Sequence, residues 1–212
     1  SIVSAIDIDI KGSAIYKNRL MMLDLIANNN WKRPIYFSGG SFDDDDYIWM
    51  KDFMQLEGMV YKLVPVKTAM KKEGSQMDMG QIDSDVMYNK VMKWDWGNSE
   101  SNTIYHDPET RRNSITYRMN LSRLMDQLIK EGKKEKAKKV IDLAMTKMPV
   151  DKFDYYSLVD PFAKGYYEVG EKTKAQQLLT QLIGKYTEDL NYYSQLSASE
   201  QVDIATEIIT DI

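Results

Sequence analysis

The chain has 212 residues, 43% of them hydrophobic and 28% charged, which is enough apolar material for one large domain or two small ones and argues against general disorder. A net charge of −4 is not the basic footprint of a nucleic-acid binder. With no cysteine and a single histidine, His106, disulfides, thiolate or multi-histidine metal sites and cysteine nucleophiles are excluded, and a Ser–His–Asp triad would have to use His106. No stretch approaches the roughly 18 apolar residues of a membrane span, and no signal-peptide pattern is present. A chain that starts at Ser1 and enters structure almost at once reads as a portion of a larger protein, with targeting signals elsewhere.

The first hundred residues mix strand and helix signals. Ala5-Ile6-Asp7-Ile8-Asp9-Ile10 alternates apolar and acidic residues, the period of a half-buried strand. Residues 18–29 carry Leu20, Leu23 and Ala27, with Met22 and Ile26 beside them, and predict a helix. Asn28-Asn29-Asn30 supplies residues that tolerate the left-handed conformation at its end. Pro34-Ile35-Tyr36-Phe37, halted by Gly39-Gly40, predicts a buried strand. A helix around 46–56 and a strand around 59–66 complete an alternating series, which implies a small, mostly parallel α/β sheet. Residues 67–82 are polar and read as a loop. A short helix after Asp83 is expected to carry Met87, Val91 and Trp94 on one face. Gly97–Asn102 is a second loop, and it places the domain boundary between a 1–100 α/β region and a 101–212 helical region.

The second region contains an internal echo. Ala137, Val140, Ile141, Ala144, Met145 and Met148 recur in spacing as Ala175, Leu178, Leu179, Leu182, Ile183 and Tyr186, 38 residues later. Gly132 and Gly170 precede the two alanines by the same interval. The period is near the roughly 34 residues of a tetratricopeptide repeat. The glycine would end the first helix of each hairpin, and the alanine would let the second approach closely. Leu121, Leu124, Met125 and Leu128 line the partner helix of one hairpin; Phe162, Ala163 and Tyr166 line that of the other. Pro149 ends the first repeat, and Asp160-Pro161 opens the next helix as N-cap and first-turn proline. Ser197 and Glu200 form a capping-box pattern before a last stripe, Ala205, Ile208, Ile209 and Ile212. Two hairpins and a closing helix make a short solenoid, so the helical region is expected to pack against the α/β region as one body.

Several strings carry a family resemblance. Leu23-Asp24-Leu25-Ile26-Ala27 is followed by Asn29-Asn30-Trp31-Lys32-Arg33-Pro34-Ile35-Tyr36-Phe37; then come Phe53–Gly58, Tyr61–Pro65, Asp85–Tyr88, Trp96-Gly97 and the segment 132–137. From about residue 18 to 190 the chain resembles a Bacteroidetes family of multi-pass membrane proteins similar to protein O-mannosyltransferases. The resemblance implies that the acidic catalytic residues belong to a membrane region outside this chain. It also implies that the chain is a tail on the periplasmic face, with that membrane region as its partner.

Candidate sites follow from residue chemistry. Trp31, Lys32, Arg33 and Tyr36 could form a binding edge, Trp31 stacking on a sugar ring and Arg33 gripping a carboxylate or phosphate; otherwise Trp31 is core and the basic pair complements a helix end. Ser38, Gly39 and Gly40 lie where parallel-sheet proteins bind ligands. However, the acidic run that follows repels phosphate, and no phosphate-loop pattern exists. Asp43, Asp44 and Asp46 are a weak Ca²⁺ alternative without EF-hand spacing; a solvated, helix-capping loop explains them as well. Trp94 and Trp96 could offer a glycan platform or pack as core. His106 reads as a surface turn residue, and the lysines from 133 to 139 as a solvated face. No cofactor and no nucleic acid is expected. The expectation is a non-catalytic accessory domain recognising a protein, peptide or glycan partner. A stand-alone tetratricopeptide-like scaffold is second, and a small α/β enzyme near Ser38 third.

Overall fold

In the computed structural model the described residues are 2–10, 14–39, 44–68, 79–197, 199 and 200. The chain divides into two compact units between Val91 and Met92. The first holds α1 (Lys17–Asn28), β1 (Tyr36–Phe37), 3-10 turns at Asp44–Tyr47 and Lys51–Phe53, β2 (Met54–Glu57), β3 (Val60–Leu63) and α2 (Ser84–Val91). Its three strands run in the order β1-β3-β2 and pair antiparallel throughout.

The antiparallel sheet corrects the mostly parallel expectation, and the reason is local. Only Gly58 and Met59 separate β2 from β3, and Glu57 pairs with Val60 across that turn. A two-residue connection can join only antiparallel neighbours, because a parallel pair needs a long crossover. Gly58, at φ 82°, takes the positive φ such a turn demands. The helix expected over 46–56 is instead the two 3-10 turns and β2. Residues 5–10 form no ladder; the nearest pairing is a single antiparallel bridge from Ile2 to Val66. Ile6 and Ile8 nevertheless pack against the core. Alternation therefore identified the inward face but not a pairing partner. β1 is an edge strand, not a buried one, with Phe37 inside and Tyr36 exposed.

The core of this unit gathers Phe37, Tyr47, Ile48, Met50, Phe53, Met54, Leu63 and Met79. α1 lies against it through Met22, Leu23 and Ile26, so the inward stripe is rotated away from the expected Leu20 and Ala27, which are exposed. Arg19 ties the helix to the first 3-10 turn through an ion pair with Asp46. Met87 and Val91 of α2 are buried as expected, but Trp94 lies past the end of that helix.

The second unit holds α3 (Pro108–Lys130), α4 (Lys134–Lys147), a 3-10 turn at Tyr156–Leu158, α5 (Asp160–Val169) and α6 (Lys172–Ser194). α3 packs on α4, α5 on α6, and α4 and α3 both on α5. The sequence echo reappears in the caps. Gly132 and Gly170 have φ of 73° and 94°. Beyond them Lys133 N–H donates to Leu128 O and Glu171 N–H to Tyr166 O, both at 2.8 Å. Each is the six-to-one bond of a Schellman ending, which satisfies a carbonyl the helix would leave open. Ala137 and Ala175 are fully buried, as close helix approach requires.

The echo weakens in α6. Ala175, Leu178 and Leu182 are buried, yet Ile183 is 64% exposed. At the start of α5, Asp160 is the first helical residue and Val159 takes the cap position, which corrects the expected Asp160 cap. The role is filled at α3, where the Asp107 carboxylate accepts from Thr110 N–H at 2.7 Å before Pro108. Ser197 and Glu200 do form the capping box. The stripe expected from Ala205 to Ile212 lies outside the described residues.

The α4–α5 connection is held from within. Arg118 of α3 is fully buried and donates to the carbonyls of Met148 (3.2 Å), Phe153 (3.1 Å) and Asp154. Burial brings its guanidinium down to about 10, which leaves it charged at neutral pH.

Candidate binding surface

The turn after α1 is built by Asn29. Its side-chain amide donates to Arg33 O at 2.8 Å, its side-chain oxygen accepts from Arg33 N–H at 3.3 Å, and its carbonyl accepts from Lys32 N–H at 2.9 Å. Within this clasp Asn30 and Trp31 adopt left-handed backbone, φ 47° and 57°. Asn30 is suited to that region, while an indole there is uncommon. The result is a Trp31 ring 54% exposed, beside exposed Lys32 and Arg33. Trp31 is therefore not core. Ser38 is exposed, and Gly39, at φ 80°, has the Tyr61 ring 3.3 Å from where a Cβ would stand. Gly40 and Asp43 lie outside the described residues. Asp46 is already engaged by Arg19, and among the described residues no group of three or more His, Cys, Asp or Glu could hold a metal ion.

The strongest electrostatic feature of the first unit was not foreseen. Glu57, at the end of β2, is buried. Its carboxylate accepts from Gln55 Nε2 at 2.8 Å and Tyr36 Oη at 3.3 Å, pairs with Lys90 of α2, and has Lys62 Nζ at 3.8 Å. Lys90 also lies 5.4 Å from the Tyr36 ring centre. Burial pushes the Glu57 carboxyl up, but the Lys90 hydrogen bond and charge, with Gln55 and Lys62, more than offset it and hold it below the usual value. The Glu57 hydrogen bond in turn raises Lys90. A carboxylate pinned in its charged form by two ammonium groups suits a fastener better than a proton carrier, whose pKa would sit near the working pH. No sequence signal pointed to it, since Lys90 is 33 residues away and meets Glu57 only in the fold.

Trp94 and Trp96 belong to the second unit, where they pack with Tyr117 of α3. The ring centres are 5.7 Å apart for the tryptophans and 5.5 Å from each to Tyr117. Both tryptophans are half-buried, and the Trp96 indole N–H is buried without a hydrogen-bond partner. Packing explains this cluster as well as a glycan platform does.

The first unit is thus a small antiparallel sheet with a fastened helix and an exposed aromatic–basic turn. Over residues 1–86 the chain matches the family described as TMEM260-associated domain 2, a domain linked to a membrane-protein family. No curated protein and no solved structure matches the chain.

Proposed function

We propose that this chain is a non-catalytic accessory region of a membrane-embedded glycosyltransferase-like protein, lying on its periplasmic side and recognising a protein, peptide or glycan partner. The observation that carries the proposal is the match of residues 1–86 to a domain linked to a membrane-protein family. No described helix is long and apolar enough to cross a membrane, so on this reading the chain's link to the bilayer is another part of the same protein. The outer side of α1 supports that. Leu20, Met21 and Leu25 are exposed there, and Tyr16 precedes them. A helix that is apolar on both faces is normally covered on both, and the parent's membrane region is the cover we assign. The repeated Schellman endings support a tetratricopeptide-like reading of α3–α6, whose surfaces commonly hold peptides by analogy of fold.

The test compares sugar transfer in membranes by the full-length parent and by a version lacking this chain, at matched expression. Retained turnover with loss of particular acceptors supports partner selection. Unchanged transfer to every acceptor overturns the accessory role and favours a separate scaffold.

A further inference from the structure

The second unit contains an open pocket of mixed polar and apolar lining that the sequence did not single out. It measures about 260 Å³ and is lined by Asn102, Ile104, Tyr105, His106, Arg111, Asp151 and Lys152. Its walls are fixed in advance by bonds that do not involve a ligand. Ser99 Oγ donates to Lys147 O at 2.6 Å, Lys152 Nζ donates to Glu100 O at 2.7 Å, and Lys147 pairs with Glu100. Together these bind the loop before α3 to the segment around the end of α4. His106 Nε2 meets Ser99 O at 2.8 Å, and its ring lies 4.4 Å from that of buried Phe153. Preformed walls lower the ordering cost of binding.

The chemistry of the lining selects a ligand class. A carbonyl only accepts, so His106 Nε2 carries a proton and donates to Ser99 O, which leaves Nδ1 as the ring's remaining polar atom. Asn102 both donates and accepts, Asp151 accepts, and Arg111 and Lys152 donate. Arg111 directs one amino group to Asp154 at 2.7 Å while its Nε is buried without a partner. Arg111 is paired with Asp154, Lys147 with Glu100 and Lys185 with Asp151, so most of the charge around the site is already balanced and an anion finds little to hold it. Tyr105 is 82% exposed and presents a flat, apolar ring face. Adjacent donors and acceptors, near-neutral charge, one aromatic face and room below the roughly 300 Å³ of a drug-sized site describe a small ring carrying several hydroxyls. We propose that this cavity binds a single neutral sugar residue. The proposal does not depend on the accessory role, whose carrying observation is the family match of residues 1–86.

His106 is the only histidine in the chain, so its ring protons are an unambiguous NMR reporter. The 212-residue protein would be titrated with the methyl pyranosides of glucose, mannose and galactose, and with cyclohexanol and acetate as controls. Saturable shifts of the His106 signals by at least one pyranoside are expected, at a dissociation constant on the order of 1–10 mM. Tyr105→Ala and Asn102→Ala, both at exposed positions, should each weaken binding by about fivefold or more without moving the unfolding temperature. Absence of saturable shifts with all three sugars overturns the proposal. So does equal binding of acetate or cyclohexanol, or unchanged affinity in both variants.

Discussion

Glu57 of β2 and Lys90 of α2 form an ion pair that joins the sheet to the helix closing the first unit. The carboxylate is buried and the ammonium is half-exposed, so most of the consequence of breaking the pair falls on Glu57. Glu57→Gln keeps the shape and the bond from Gln55 but removes the charge that Lys90 and Lys62 face. A loss of about 1 kcal/mol is expected, below the roughly 1.5–3 kcal/mol of bonds to charged groups because the lysines stay solvated. Thermal unfolding of the variant beside the native chain measures it.

The same pair sets a pH window. Glu57 sits below its ordinary 4.5 in the fold, so its contribution is complete above that value and fades as pH falls through the lowered folded value. Lys90 sits above its ordinary 10.5, so its contribution is complete below that value and fades as pH rises past the raised one. The difference in unfolding temperature between native protein and Glu57→Gln should therefore be constant near neutrality and shrink under acid. A gap that persists unchanged at about pH 3 would show that the charge is not what the pair contributes.

Arg118 predicts a larger effect in the second unit. It satisfies at least three carbonyls of the α4–α5 connection from a buried position. Arg118→Met fills much of the space but orphans those carbonyls, each at a cost of about 1–3 kcal/mol if water stays out. A total on the order of 3–5 kcal/mol is expected. Arg118→Lys should rescue little, since a single ammonium cannot reproduce the planar fork. Full rescue by lysine would mean that charge, and not geometry, holds the connection.

Two helical glycines give a paired test. A Cβ on Gly165 of α5 would meet the Met125 sulfur of α3 and the end of Ile141 of α4, whereas one on Gly184 of α6 meets nothing within 4 Å. Alanine gains up to about 1 kcal/mol over glycine in a helix interior. Gly184→Ala should show that gain. In Gly165→Ala the overpacking of Met125, about 1–3 kcal/mol, should cancel or reverse it. Equal stabilisation at both sites in denaturant unfolding would refute close packing at Gly165.

How much of this was legible follows from which forces are local. The Schellman endings at Gly132 and Gly170 and the buried Ala137 and Ala175 were readable because glycine and helical periodicity act within a few residues. The capping box of Ser197 and Glu200 was readable for the same reason. The sheet's direction was lost because the 46–56 stretch passed for a crossover helix, when its turns and the short Gly58-Met59 hairpin decide the pairing. Sequence alone fits Trp31 to core or surface equally, since its exposure depends on how Asn29 closes the turn. The Glu57–Lys90 pair and the cavity around His106 join residues far apart in sequence, which no single-chain pattern records.

The outer face of α1 yields the last prediction. Leu20, Met21 and Leu25 are exposed, Leu25 at 68%, while Met22, Leu23 and Ile26 meet the core. Serine at Leu20 and Leu25 removes apolar surface without opening a cavity, so the isolated chain should keep its stability to within about 0.5 kcal/mol. If that face is covered in the parent protein, the same double change there should destabilise the assembly. Burying two leucines is worth about 1.5–3 kcal/mol each, and losing it should make the chain more accessible to protease in membranes. Retained protection alongside retained stability would show that this side of the helix has no partner. Lost stability in the isolated chain would instead show that these leucines support the unit's own fold.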